Sequence, residues 1–374
     1  MLILSSATLS AHGFCGSVAL RDSSFLPPNA ENSADSAKSL VNAKVEYLPI
    51  ASYDTDVGFG YGAKVFFLNQ IGSDESFDII LFNSTKGERW YRLVFSVPDF
   101  ELRQGTAFPL AVDVTIDYDK WINNNYFGIG NAARFEDREF YTKEPLEVNV
   151  TVSHAFSAQS VGQVGVKYRI VRNFRFEEGK SLGALPASLS PASASLASVF
   201  TVFRLDSRDS YINPSGGIVL QGEAEVSPKL GFSNDALSRF AVWMQYYERP
   251  LSSNSVVALR GGLQVLAGTD PPIQFLLPIG GNQTVRGSPQ DRFLDKTSAV
   301  LNAELRFPLV WRFGGILGYD AGKVWSSVGK IDLPRWAVNP VVGLRLYMDT
   351  FVVRMDFGFG REATGFYLNF GHLF

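Results

Sequence analysis

The spacing of strand-like runs constrains this chain more than any single motif. From Ala43 onward sixteen runs follow one another, at 43–50, 57–70, 76–84, 89–97, 108–119, 146–156, 160–172, 197–206, 217–226, 237–248, 254–266, 297–307, 312–325, 338–348, 351–360 and 365–374. Many alternate with the two-residue period of a β-strand, whose successive side chains face opposite sides. In Val164-Gly165-Val166-Lys167-Tyr168-Arg169-Ile170 the even positions are apolar and the odd ones small or charged. In the run from Phe351, the residues Phe351, Val353, Met355, Phe357 and Phe359 alternate with Val352, Arg354, Asp356, Gly358 and Gly360. A soluble sandwich alternates in the same way, so the period leaves two all-β architectures open. Connection length separates them. In a transmembrane barrel with both termini in the periplasm, odd-numbered connections are extracellular and long, and even-numbered ones are short turns. The long gaps, 120–145, 173–196, 227–236, 267–296 and 326–337, are connections 5, 7, 9, 11 and 13. The even connections 157–159, 249–253, 308–311 and 349–350 are tight, with 98–107 and 207–216 looser. A soluble domain has no reason to obey that parity. The expected fold is therefore all-β, a sixteen-stranded antiparallel transmembrane β-barrel over residues 43–374, closed because lipid tolerates no unpaired strand edge. A charge at Val353, Met355 or Phe357 should then harm assembly far more than one at Gly358.

Composition agrees with this architecture. No apolar run approaches the roughly 18 residues that a transmembrane helix needs, and alternation holds mean hydropathy at +0.03. A net charge of −3 gives no sign of a nucleic-acid partner. Cys15 is the only cysteine, so no intrachain disulfide can form, and His12, His154 and His372 lie too far apart for zinc spacing. No phosphate-binding loop or nucleophile elbow occurs. Gly58-Phe59-Gly60-Tyr61-Gly62 imitates a nucleotide fingerprint, but its glycines share one face of an alternating strand and are expected to face a crowded lumen. His154 and His372 are each expected to be structural. Neither enzyme activity, metal nor cofactor is implied. At the N-terminus, Met1 to Leu9 is short and apolar with no preceding Lys or Arg, so the charged opening of an export signal is missing. Residues 1–17 are read as a truncated or atypical signal peptide. Residues 18–42, rich in Ser, Asn, Ala and Pro, are read as a disordered periplasmic lead-in.

One connection carries more than spacing. The gap 267–296 holds Gly280-Gly281-Asn282-Gln283-Thr284-Val285-Arg286-Gly287-Ser288, and so long a loop in a compact domain is usually functional. In the following run, alternation puts Asn302, Glu304 and Arg306 on one face. In the next, Asp320 sits between Gly318 and Gly322 on its own face. A loop carrying an arginine, followed by two strands each presenting a carboxylate, suggests a loop folded back to neutralise buried acids. A solvated loop arginine is the plain alternative. An acid/base pair of Glu304 and Asp320 lacks a nucleophile or metal beside it.

These residues also carry a family resemblance. Val285-Arg286-Gly287, then Glu304-Leu305-Arg306-Phe307-Pro308, then Tyr319-Asp320-Ala321-Gly322-Lys323-Val324-Trp325, resemble the C-terminal barrel of the BamA/TamA surface-antigen superfamily. The resemblance implies a long sixth extracellular loop inserted into the lumen, with Arg286 meeting Glu304 and Asp320. It departs at Ser288, where the family usually has Phe or Tyr. The final run, with Phe366, Leu368, Phe370 and the terminal Phe374, resembles the C-terminal signal of exported barrels. Tyr126-Phe127-Gly128-Ile129-Gly130-Asn131 in a long loop, and Asp206-Ser207-Arg208-Asp209 with Pro214-Ser215-Gly216-Gly217 at a periplasmic turn, are further family-like marks.

The resemblance implies the bacterial outer membrane, with membrane lipid as a partner. Forty-two residues ahead of the barrel leave no room for the family's periplasmic POTRA modules, so a barrel-only member is expected, its receptor role missing or supplied by a separate periplasmic module. Two functions follow. Either the barrel assists insertion or translocation of other proteins, its clients being unfolded barrels, through a weak seam between the first and last strands, or it is a passive pore or structural surface antigen. Run 43–50, short and carrying Pro49, would suit a seam that opens, and plain edge-strand irregularity explains it equally well.

Overall fold

The computed structural model describes residues 42–189, 191–229, 236–250, 254–349 and 351–374. Except at Asn42, the readings of residues 1–17 and 18–42 fall outside them.

Sixteen strands close into one antiparallel barrel. They are β1 (Lys44–Asp54), β2 (Gly58–Leu68), β3 (Ser76–Ser84), β4 (Arg89–Val97), β5 (Ala111–Tyr126), β6 (Glu139–Ser157), β7 (Ser160–Phe174) and β8 (Ser193–Asp206). The second half comprises β9 (Gly217–Ser227), β10 (Leu237–Glu248), β11 (Val256–Ala267), β12 (Thr297–Pro308), β13 (Phe313–Trp325), β14 (Ala337–Tyr347), β15 (Val352–Phe359) and β16 (Thr364–Phe370). Each pairs with its sequence neighbour, and β1 meets β16 to close the ring. An even strand number returns β16 to the rim where β1 starts, called here the terminal rim.

Burial decides which side faces lipid. Along β10, Phe240, Val242 and Met244 are 49%, 53% and 49% exposed, whereas Arg239, Trp243, Gln245 and Tyr247 are buried. The wall therefore presents apolar side chains outward and polar ones inward, the inverse of a soluble core. Among the described residues no helix is long and apolar enough to cross a membrane. The glycines of β2 face the lumen as expected: a Cβ on Gly60 would lie 2.1 Å from the Phe82 ring.

Three strand readings change. The gap 120–145 is narrower than expected because β5 runs on to Tyr126 and β6 begins at Glu139. Lys120 to Asn125 lacks the apolar alternation that a strand needs only where it touches lipid. β1 is not short; it pairs with β2 over all eleven residues from Lys44 to Asp54, Pro49 included. Finally, β16 ends at Phe370, so the last four residues are not strand. Gly371, at φ 78°, turns the chain inward, and Phe374 is 3% exposed beside Tyr247, Val256, Ala258 and Leu373. Phe366, Leu368 and Phe370 keep the outward face, with the Phe366 ring tilted against that of Phe357 at 4.7 Å, but Phe374 belongs to the interior.

Met355→Arg should cost about 2–4 kcal/mol if Met355 lies near mid-bilayer, and less nearer either interface. The expected result is loss of heat-modifiable, folded barrel from membranes, with Met355→Leu unaffected. Equal recovery of both variants would contradict the lipid-facing assignment of β15.

Candidate functional site: loop 6 anchored in the lumen

The connection between β11 and β12, here loop 6, folds into the barrel. Residues 271–292 are buried apart from Gln283. Its base is a two-stranded ribbon in which Leu277, Pro278 and Ile279 pair with Asp295, Leu294 and Phe293. At the tip, Gly281 N donates to Ser288 O (2.8 Å) and Thr284 Oγ1 receives from Gly280 N (2.8 Å), closing a tight coil around Val285 and Arg286.

Arg286 is completely buried. Its Nε and Nη2 donate to Asp320 Oδ2 and Oδ1 at 2.7 and 2.9 Å, a bidentate fork on β13. Its Nη1 donates to Glu304 Oε1 on β12 at 2.9 Å and to Asp356 Oδ2 on β15 at 2.7 Å. Its backbone N–H also reaches Asp320 Oδ2 (3.0 Å). One guanidinium thus ties the loop to three strands. The expected partners Glu304 and Asp320 are both in place. Asp356 was missed, although it shares the inward face of its run with Arg354. Register explains how it arrives: Arg306, Ile316, Gly343 and Asp356 are successive neighbours across β12 to β15. That row puts Asp356 one step from Glu304 despite the separation in sequence.

The acids are in turn held by other cations. Arg306 Nε donates to Glu304 Oε2 (2.9 Å) and Arg345 Nη1 to Asp356 Oδ1 (2.5 Å). Arg306 Nη2 donates to Phe374 O (2.9 Å), which joins the chain's last residue to the same cluster.

Glycines make the loop's path possible. Gly287, at φ 89°, lies against β15, where a Cβ on Gly358 would come within 2.4 Å of Arg286 C. Gly358 therefore admits no side chain, which overturns its reading as a tolerant lumenal position. A Cβ on Gly322 would sit 2.7 Å from Val285 Cγ2, and Val285 fills that space in a cluster with Ile279, Val300 and Val324. Ser288, where an aromatic was expected, accepts from Asn339 Nδ2 (3.0 Å), and Gly287 N donates to the buried Tyr367 hydroxyl (3.1 Å). Polar contacts hold the tip where the missing ring would have packed.

The family-like marks lie at both rims. Gly130 N donates to Leu294 O (2.8 Å) and Asn131 Oδ1 receives from Val324 N (3.1 Å), beside the loop 6 ribbon. At the terminal rim, Arg208 Nε and Nη2 grip Asp206 at 2.9 and 2.7 Å. In the same turn Asn213 Oδ1 lies 3.0 Å from His372 Nε2. His154 Nδ1 lies 2.7 Å from Pro109 O. Both histidines make structural contacts.

A closed sixteen-stranded barrel with an inserted sixth loop bound to acids on its inner wall defines a class of bacterial outer-membrane protein. This chain belongs to the Omp85 superfamily: residues 69–374 match the Omp85 superfamily domain. Membership makes it a non-enzymatic barrel of the bacterial outer membrane. Its fold is similar to BamA from Haemophilus ducreyi lacking POTRA domains 1–3, with a TM-score of 0.67 and 13% identity over 88% of this chain and 70% of that one. It is also similar to CdiB from Acinetobacter baumannii (TM-score 0.56, 17% identity, 88% of this chain and 60% of that one). CdiB from Escherichia coli gives a TM-score of 0.60 at 13% identity, covering 89% of this chain and 68% of that one. No curated protein sequence matches the chain.

Breaking a buried ion pair by removing one partner typically costs about 3–5 kcal/mol. Arg286→Ala should therefore release the loop: protease cleavage within 268–296 rises while the barrel stays heat-modifiable. Arg286→Lys should restore protection only partly, because an ammonium lacks the planar fork that meets several carboxylates. Gly358→Ala should loosen the loop without changing any charge. Unchanged protease sensitivity in all three would refute the anchor.

Proposed function

We propose that this barrel assists insertion or translocation of other proteins at the outer membrane, through the seam between β1 and β16. The observation that carries this reading is the inequality of β1's two edges. Toward β2 all eleven residues are paired, whereas toward β16 only Tyr53–Leu368 and Asp54–Tyr367 are. Thr55 adds a short extension, its N–H and hydroxyl donating to Phe366 O at 3.2 and 3.1 Å. The weakness comes from the short β16 and the inward turn at Gly371, since β1 itself is long. Among the described residues the ladder between β1 and β16 stops at Tyr53, and a short ladder of this kind leaves an edge that can accept an incoming strand.

A passive pore is less well supported. Loop 6 is folded into the lumen, with residues 271–292 buried apart from Gln283, and the contact between Asn213 and His372 ties a rim turn to the C-terminal tail. The same reading gives the outward Phe366, Leu368 and Phe370 the role of an export signal, with Phe374 as an interior anchor. Unfolded barrel proteins are the proposed clients.

A seam that must open fails when stapled. In a Cys15→Ser background, Tyr53→Cys with Leu368→Cys places thiols on facing residues. In proteoliposomes, the reduced protein should accelerate folding of a client barrel, and the oxidised protein should match empty vesicles. Equal acceleration by both forms would rule out the seam, and no acceleration by either would rule out the insertase reading.

A further inference from the structure

The lumenal cluster holds more donors than acceptors. Arg286, Arg306, Arg345 and Arg354 surround Glu304, Asp320 and Asp356, and all seven side chains are at most 3% exposed. Every carboxylate oxygen is already engaged. Asp320 is taken by Arg286, Glu304 by Arg286 and Arg306, and Asp356 by Arg286 and Arg345. Arg306 Nη1, Arg345 Nε and Nη2, and Arg354 Nε and Nη1 nevertheless have no hydrogen-bond acceptor. The closest carboxylates to Arg345 Nη2 and Arg354 Nε in the ion-pair network stand at 3.6 Å. A guanidinium cannot shed its proton to escape this cost.

Register gathers these donors. Arg345 on β14 and Arg354 on β15 are direct cross-strand partners, and Asn369 on β16 is the next partner of Arg354. Like charges directly opposite each other repel, and here both point into the lumen, 0% and 2% exposed. Asn369, 3% exposed, has neither its Nδ2 nor its Oδ1 partnered. Loop 6 borders the same row: Asn282 Oδ1 accepts from Arg354 Nη2 at 2.8 Å, while Asn282 Nδ2 has no partner.

We propose that the Arg345–Arg354–Asn369 row, bordered by Asn282, binds a phosphate-type oxyanion. Two guanidinium groups with spare N–H donors match the several oxygens of such a group, the geometry in which Arg–phosphate recognition is strongest. With the terminal carboxylate of Phe374 on Arg306 and the buried Arg260 counted in, five cations face four anions, and a bound anion would offset the excess positive charge. It would also join β14, β15, β16 and loop 6 through one ligand. The site does not depend on whether the seam opens. Free phosphate and a phospholipid headgroup share the required chemistry.

The full-length barrel in phosphate-free maltoside detergent tests the site, with inorganic phosphate as the probe against chloride at equal ionic strength. Equilibrium dialysis should show a single saturable phosphate per barrel, and the midpoint of heat modification should rise with phosphate. Arg354→Gln should weaken binding by roughly tenfold or more, the loss expected for one charge-assisted hydrogen bond. Asn369→Asp supplies the missing carboxylate within the chain. Its midpoint in phosphate-free detergent should exceed that of the unsubstituted protein, and phosphate should add nothing. Should Arg354→Gln fail to fold, Asn369→Asp still decides. A parallel titration uses phosphatidylglycerol without inorganic phosphate: a rise only there assigns a headgroup, and a rise with inorganic phosphate assigns the free anion. No rise with either ligand, or an undiminished phosphate response in Asn369→Asp, overturns the proposal.

Discussion

One buried guanidinium organises the interior of this barrel. Arg286 neutralises acids on β12, β13 and β15 at once, so the loop that carries it is tied to the half of the wall that ends at the seam. Arg306 and Arg345 also hold Glu304 and Asp356, but the guanidinium bonded to Asp320 is that of Arg286, and without it that buried carboxylate would face its neighbours uncompensated. The loop and the acids therefore require each other. The glycines that face the tip, Gly322 on β13 and Gly358 on β15, are the steric counterpart of this requirement. Charge fixes where the loop goes, and absent side chains let it approach.

The same part of the wall is where closure is thinnest. β16 is seven residues long and pairs with β1 at two positions, while on its other edge it pairs with β15 throughout. Loop 6 reaches this strand through Gly287 and Tyr367, and Arg306 on β12 holds the tail beyond it at Phe374. The interior cluster thus braces the last strands from within, where the ladder to β1 braces them least. In the proposed function, that bracing sets how readily the seam separates.

Much of the fold was legible because lipid imposes two rules on a barrel. Alternation marked the strands wherever they touch the bilayer, and connection parity distinguished the barrel from a soluble sandwich. The rules fail where the bilayer ends. Asn123, Asn124 and Asn125 continue β5 beyond the apolar band, so their polarity concealed a strand. Phe374 continues the alternating pattern in sequence but turns inward after Gly371, and no periodicity can report a change of direction. At the site, Arg286, Glu304 and Asp320 were found by motif. Asp356 and Arg345 required register: a lumenal row crosses the sheet at right angles to the sequence, and neighbours in it lie tens of residues apart.

Amide hydrogen exchange on the native protein reads directly whether Arg286 keeps loop 6 inside the lumen. Residues 271–292 should exchange as slowly as the flanking strands β11 and β12, and Arg286→Ala should abolish this protection in the loop while leaving the strands protected. Rapid exchange of 271–292 in the unsubstituted protein, or protection that survives Arg286→Ala, would contradict that role.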